Sequence, residues 1–389
     1  LAAGPNAEKA PAPSIEPRPT MTASRSPSRR ERRLGSGWAF SGIGSLGSMD
    51  WDLLERLTMA PGPSGHEGRV RDVVANEIAD VVEEISVDPV GNLVARRPGP
   101  GPRVVLAAHM DELGFIVSHI EDEGFLRVLT VGGHDPRALA AATVVVHGRG
   151  DLPGVIGGKP VHLMERSERE KAPKEKDLYV DVGLDGERVR ELVRPGDPVT
   201  RAANITRLGD LVSGPGLDDR AGLYVMLEAV RTLAEHRCDL HAVATVQEEV
   251  GLRGARVAAS RIRPELALAI DVTLANDGPG VPARERVTEV GKGAAIKVMD
   301  SSVIVPTAMV DSLIGLAEAE GISHQLEVMP RGGTDTRELA LAGDGARAGG
   351  VSIPLRYTHQ ITEAAHPDDL DACVALVRAF CEGAHELAF

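Results

Sequence analysis

Five places in the chain set a histidine or an acid where an apolar run ends or a helix begins. His109-Met110-Asp111-Glu112 follows Val104–Ala108, and Asp218-Asp219 precedes an apolar-periodic helix starting near Ala221. Glu248-Glu249 follows Ala242–Val246, Asp271 ends Leu266–Ile270, and His359 follows Val351–Leu355 by way of Arg356-Tyr357-Thr358. Each has a bland alternative. A histidine after a strand is often a neutral hydrogen-bonded side chain, an acid before a helix is an N-cap, and paired acids form solvated edges. Capping, however, needs one acid rather than two. Open α/β sheets build their sites at the carboxyl ends of strands, the edge where all five are expected to fall. Two imidazoles with three carboxylates form the donor set of a paired divalent site, in which a carboxylate bridges cations about 3.5–4 Å apart. Asp111 and Glu248 are then left for orienting and proton-accepting roles.

These side chains need a scaffold, and the apolar patterning supplies one. Asp50–Met59 and Glu67–Glu84 read as amphipathic helices, the second with Val70, Val73, Val74, Ile78 and Val81 at helical spacing. Helical stretches at Ala221–Glu235, Thr307–Glu320 and Asp368–Glu386 alternate with strand-like runs at Leu240–Val246, Leu266–Ile270, Ala294–Met299 and Gly349–Leu355. This alternation predicts an α/β fold, a mixed sheet flanked by helices. Between about Leu113 and Leu208 the texture changes to short Val-, Ile- and Leu-rich runs broken by Gly, Asp and Pro, as in a small inserted β-rich domain. The expected organisation is a catalytic domain from 49–112 and 209–389, interrupted by an insert over 113–208.

The first 48 residues lack apolar periodicity, are rich in Pro, Ser, Ala and Arg, and carry seven basic against three acidic residues. They read as a disordered or untranslated leader before a start at Met49. The whole chain has 43 Lys+Arg against 57 Asp+Glu, a net charge of -14, the wrong sign for a nucleic-acid or anionic-lipid partner. No run approaches the roughly 18 apolar residues of a membrane helix. Three cysteines, Cys238, Cys373 and Cys381, fit neither a disulfide framework nor a zinc finger, and a reducing cytoplasm is the expected location.

The chain resembles the glutamyl and tetrahedral aminopeptidases, dinuclear metallopeptidases sometimes labelled endoglucanase-like. The resemblance spans Asp50 to the C-terminus. It is carried by His109-Met110-Asp111-Glu112-Leu113-Gly114-Phe115, Gly154-Val155-Ile156-Gly157-Gly158-Lys159-Pro160, Gly216-Leu217-Asp218-Asp219-Arg220 and Gln247-Glu248-Glu249-Val250-Gly251. Asp271-Val272-Thr273, Gly332-Gly333-Thr334-Asp335 and Arg356-Tyr357-Thr358-His359 complete it, in the family's order. The resemblance implies two divalent ions per subunit, zinc or cobalt. His109 and Asp271 would hold one, Glu249 and His359 the other, and Asp218 would bridge them. It further implies that Asp111 orients His109, that Glu248 is the general base, and that the insert is a dimerisation domain of a large hollow homo-oligomer. Two departures stand out: Gln360-Ile361 follow His359 where the family usually has Ser-Pro, and Thr336-Arg337-Glu338 follow Asp335 where it tends to place small residues.

The function so implied is hydrolysis of the N-terminal peptide bond of short peptides by a metal-activated water. A glycoside hydrolase would instead need two carboxylates without a metal and usually aromatic platforms, yet aromatics make up only 3% of the residues. A non-catalytic, metal-stabilised oligomeric scaffold is the other alternative, and loss of activity with a chelator separates these readings.

Overall fold

A computed structural model describes residues 49–387, so the leader expected over 1–48 lies outside the described residues. The chain enters through helices α1 (Trp51–Met59) and α2 (Gly68–Ile78) and strands β1 (Glu84–Val87), β2 (Leu93–Arg97) and β3 (Arg103–His109). It then builds β4 (Gly114–Ile120), β5 (Leu126–Val131), β6 (Thr143–His147), β7 (Asp151–Gly157), the short α3 (Arg166–Arg169), β8 (Tyr179–Asp181), α4 (Gly186–Leu192) and β9 (Pro198–Arg201). There follow β10 (Thr206–Leu208), β11 (Leu211–Gly214), α5 (Leu217–Thr232), β12 (Asp239–Thr245), α6 (Arg253–Ile262), β13 (Leu266–Leu274), β14 (Ala294–Met299) and α7 (Thr307–Ala319). The last elements are β15 (His324–Val328), α8 (Thr336–Ala340), β16 (Arg347–Leu355), β17 (Glu363–Ala365) and α9 (Pro367–Gly383).

Eight strands form one mixed sheet in the order β1-β2-β12-β3-β13-β16-β14-β15. Its centre, β12-β3-β13-β16, is parallel, so these four strands end at the same edge. The run in β3 is continuously apolar because both faces are covered. Val104, Leu106 and Ala108 pack into the cluster shared with α1, α2, α5, α7 and α9. Val105 and Ala107 join the opposite cluster with Ala258 and Ala259 of α6 and Leu339 of α8. The architecture is thus the expected α/β class, helices covering both faces of a mixed sheet.

The six strands β4-β5-β8-β7-β6-β9 close a separate barrel with its own core, including Phe115, Leu126, Val144, Val146, Val180 and Val199. Alternation of buried Val144 and Val146 with the more open Val145 in β6 gives that barrel one apolar face per strand. A third, three-stranded sheet, β10-β11-β17, lies where the chain returns to the larger body.

Two elements differ from the sequence-based reading. The helix expected to reach Glu84 stops at Ile78, and Glu84–Val87 instead forms the edge strand beside β2. Its Ile85 and Val87 suit an extended chain better than a helix. Asp271 does not end its strand: β13 runs on to Leu274 because β16 pairs with it as far as Leu274 opposite Leu355.

Candidate metal centre

The parallel strands deliver the singled-out residues to one place. His109 is the last residue of β3, Asp271 lies in the C-terminal half of β13, and Glu248-Glu249 sit in the turn after β12. Pairing between β3 and β13 extends only from Leu266 opposite Val104 to Ala269 opposite Ala107. Beyond that point the strands are no longer paired, and the start of α5 brings Asp218 and Asp219 to this opening.

The two adjacent acids have different tasks. Asp219 accepts the Gly222 N–H at 3.0 Å and the His109 N–H at 3.1 Å, so it caps the continuous part of α5 and ties it to β3. A side chain at Gly222 would collide with that carboxylate at 2.2 Å. Asp218, joined to it by a cis peptide, is left facing the imidazoles. His109 Nε2 lies 3.2 Å from Asp218 Oδ1, and His359 Nε2 lies 3.5 Å from Asp218 Oδ2. Asp271 and Glu248 approach the same His109 nitrogen at 3.9 and 4.0 Å, and Glu249 approaches His359 Nε2 at 3.8 Å.

Both rings are oriented alike. His109 Nδ1 is 2.9 Å from the Asp111 carbonyl and His359 Nδ1 is 2.8 Å from the Gly133 carbonyl. A carbonyl only accepts, so Nδ1 carries a hydrogen in each ring and Nε2 is the atom turned to the acids. The Asp111 carboxylate is 3.5 Å from His109 Nδ1, and its hydrogen bonds come from Ser64 Oγ and the backbone of Glu248 and Glu249.

Electrostatically the cluster holds too many buried acids for the cations around it. Burial opposes the charge of His109, but Asp111, Asp218 and Glu248 outweigh it and hold the imidazole well above its ordinary pKa. Asp218 is also opposed by burial, yet His109 and His359 keep it well below the usual carboxylate range. The others go the opposite way. Burial raises Glu248 far above a normal glutamate, with Asp271 and Asp335 adding to the effect. Burial and Asp218 push Glu249 up to about 8 and, against the pull of His109, Asp271 to about 7. Glu249 Oε1 and Asp335 Oδ1 are buried without a hydrogen-bond partner. Unpartnered carboxylate oxygens in such a crowd are what divalent cations compensate, so the donor set fits a metal site. Two overlapping groups, His109-Asp218-Glu249 and His109-Asp219-Asp271, each offer ligand atoms within 4.8 Å of one another.

Sequence reasoning did not single out several participants. Glu363, the first residue of β17, accepts the His359 N–H at 2.9 Å and the Asp218 N–H at 3.1 Å, linking the backbones of two of the candidates. Its signal was a lone acid beside Ala364-Ala365, four residues after His359. Asp335 accepts from Thr245 Oγ1 at 2.7 Å and was visible only as part of a motif. Ser64 and Arg201 carried no local signal, since only the tertiary fold brings them near.

A family profile described as M42 glutamyl aminopeptidase matches residues 91–376. The lysyl aminopeptidase of Pyrococcus furiosus is 38% identical over 344 residues, covering 86% of this chain and 97% of its own. The glutamyl aminopeptidase of Lactococcus lactis is 28% identical, covering 85% and 95%. Among solved structures, an aminopeptidase from Desulfurococcus kamchatkensis superimposes with a TM-score of 0.82 at 40% identity, covering 85% of this chain and 94% of its own. The TET1 peptidase of Pyrococcus horikoshii, which can assemble into a tetrahedron or a large octahedral shell, gives 0.77 at 35%, covering 85% and 98%. The family profile spans well over half of the chain, the Pyrococcus furiosus relative covers most of it, and the chain belongs to the M42 glutamyl aminopeptidase family of peptidases.

Proposed function

We propose that the chain removes N-terminal residues from short peptides, using two divalent ions held by His109, Asp218, Asp271, Glu249 and His359. The observation that carries this reading is Asp218, whose two oxygens face one imidazole nitrogen each. Of the cluster's carboxylates, Asp218 comes nearest to both Nε2 atoms. In this reading His109 and Asp271 share one ion, Glu249 and His359 the other, with zinc or cobalt suited to the N/O donors. When bound, such a pair supplies Lewis acidity toward a carbonyl and a more acidic water.

Glu248 is the proton carrier in this scheme. It is buried beside His109, with Oε2 4.0 Å from His109 Nε2, and as a carboxylate it would take a proton from the attacking water and return it to the leaving amine. Asp111 positions it by accepting the Glu248 N–H at 2.9 Å. The assembly known for the TET1 relative suggests a large homo-oligomer here too, with the barrel as the subunit contact and the site enclosed. Such an enclosure admits short, flexible peptides. A cytoplasmic location is part of the same reading, and among the described residues no helix is long and apolar enough to cross a membrane.

The decisive experiment strips the purified protein of metal, adds back single divalent ions, and assays a panel of aminoacyl chromogenic substrates. Activity that survives complete stripping would falsify the metallopeptidase reading. A Thermotoga maritima structure described as an endoglucanase also superimposes, with a TM-score of 0.72 at 29% identity. Two imidazoles facing the acids give a glycosidase no use, so no observation here favours that activity.

A further inference from the structure

His109 and His359 face the same carboxylate but are held by different parts of the molecule. His109 ends a central strand, is only 2% exposed, and is bonded to Asp111 two residues away. His359 lies in the loop after β16, in the left-handed region with φ of 67°, and its side chain is 40% exposed. A ring so placed on a loop is not oriented by its own surroundings in the sheet. Three of its four polar groups are instead bonded by other segments, leaving Nε2 for the acids. Its N–H goes to Glu363 of β17, its carbonyl accepts from Arg201 Nη1 at 3.1 Å, and its ring Nδ1 meets the Gly133 carbonyl at 2.8 Å.

Two of these three partners belong to the barrel strands or their connections: Gly133 follows β5, and Arg201 ends β9. Arg201 is 6% exposed, and among the described residues its side chain forms no ion pair within 4 Å and no hydrogen bond other than that to His359. Its charge also acts on the buried Glu363 carboxyl, but the hydrogen bond from its side chain goes to the His359 carbonyl, a directional contact that a smaller apolar residue could not make. Gly133 fits the ring closely as well. A Cβ there would lie in van der Waals contact with His359 Nδ1 at 3.4 Å and Cε1 at 3.5 Å, so the methyl groups of a branched side chain would crowd the ring.

We propose that the barrel is a structural part of the metal centre, with Arg201 as a positioning residue that, together with the Gly133 carbonyl, aims His359 Nε2 at Asp218 and Glu249. The inference rests on the reading that His359 is a metal ligand, and it gives the insert a role inside the subunit that is independent of assembly. Partners of this kind beyond the ligands typically change metal affinity or activity about 10–100-fold when removed.

The test uses the full chain with Arg201→Met, Arg201→Lys, Gly133→Val and, as a control, Val199→Ala, which disturbs the barrel core without touching His359. Metal per subunit is measured after dialysis against graded chelator, alongside kcat, KM and thermal unfolding. Arg201→Met is expected to lose one ion per subunit at roughly 10–100-fold lower chelator than the parent and to drop in kcat with little change in KM. Arg201→Lys recovers part of the loss, since an ammonium can donate to the same carbonyl. Val199→Ala lowers the unfolding temperature but keeps its metal. If Arg201→Met does not fold, Gly133→Val carries the test and shows the same selective loss. Unchanged metal retention in both Arg201→Met and Gly133→Val overturns the proposal, as does equal metal loss in Val199→Ala. His359→Ala separates the two levels: if it retains both ions, the ligand reading itself fails, whereas if it loses one while Arg201→Met loses none, only the positioning role fails.

Discussion

Asp111 holds the backbone of Glu248: one carboxylate oxygen accepts the Glu248 N–H at 2.9 Å and the other accepts the Glu249 N–H at 3.1 Å. One buried side chain therefore sets both the proposed base and a proposed ligand, in a turn that has no strand pairing of its own. Asp111→Asn places an N–H where an oxygen accepted and so leaves one of the two donors opposed. Both kcat and metal retention are expected to fall, each roughly 10–100-fold. Steady-state kinetics and metal analysis on one preparation check this, and a loss confined to kcat would mean that Glu249 is anchored by other contacts.

The neighbouring glutamates should separate cleanly. Glu248→Gln keeps the shape but not the basicity, so a loss of roughly 10²–10⁴ in kcat is expected with both ions retained. Glu249→Gln should instead weaken retention of the ion near His359. Near-normal turnover by Glu248→Gln would remove it from the mechanism. Asp218→Ala should cost both ions, because a bridge belongs to each.

Much of this site was legible in the sequence because β3, β12, β13 and β16 are buried on both faces, and a polar residue at the end of such a run stands out. Asp271 was legible by type although its strand continues three residues beyond it, since an acid inside a buried strand is as conspicuous as one at its end. Helices α1 and α7 were legible from periodicity. What stayed hidden depends on partners distant in sequence. Glu363 draws its meaning from backbone N–H groups at Asp218 and His359, and Arg201 from a carbonyl 158 residues away. The edge strand β1 was hidden for another reason: helical spacing through Val81 was carried on to Glu84, and the short Ile85/Val87 alternation that follows finds its partner only in β2.

Metal uptake should release protons. In the metal-free chain Asp218 raises His359 to about 9, burial and Asp218 raise Glu249 to about 8, and burial raises Asp271 to about 7. At pH 6 all three hold protons that a metal must displace, while at pH 9 the two acids are ionised and the imidazole is about half neutral. Divalent affinity is expected to rise from pH 6 to 9, measured by calorimetry in buffers of different ionisation enthalpy. The same shifts have a stability consequence. Raised acids and raised histidines both bind more protons folded than unfolded between about pH 5 and 9, so the metal-free chain loses stability as pH rises through that window. Asp218 is lowered instead, and its contribution is fully present throughout it. A metal-free unfolding temperature higher at pH 9 than at pH 6 would contradict the assignment.

The last prediction concerns Lys297, a fully buried lysine on β14 close behind Asp271. Its ammonium pairs with Glu327 of β15 and lies 3.4 Å from Asp300 Oδ2. Asp300 in turn accepts from the backbone of Ser302 and Val303 and from Thr334 Oγ1, so the lysine is bonded into the loops that carry Asp335. Burial would lower its pKa, but Glu327 and Asp300 outweigh that effect and keep it charged. Breaking such a pair from one side leaves an uncompensated buried charge and costs about 3–5 kcal/mol, whereas replacing both partners by apolar groups is often neutral. Lys297→Met should therefore destabilise the chain by about that amount, and Lys297→Met with Glu327→Leu should recover much of it. Denaturant unfolding of both variants with metal loaded decides the matter. A double variant no more stable than the single would show that the ammonium is held for Asp300 and the loop behind the site rather than for Glu327. Recovery of stability without recovery of kcat would give the lysine a part in placing Asp335 that packing alone does not supply.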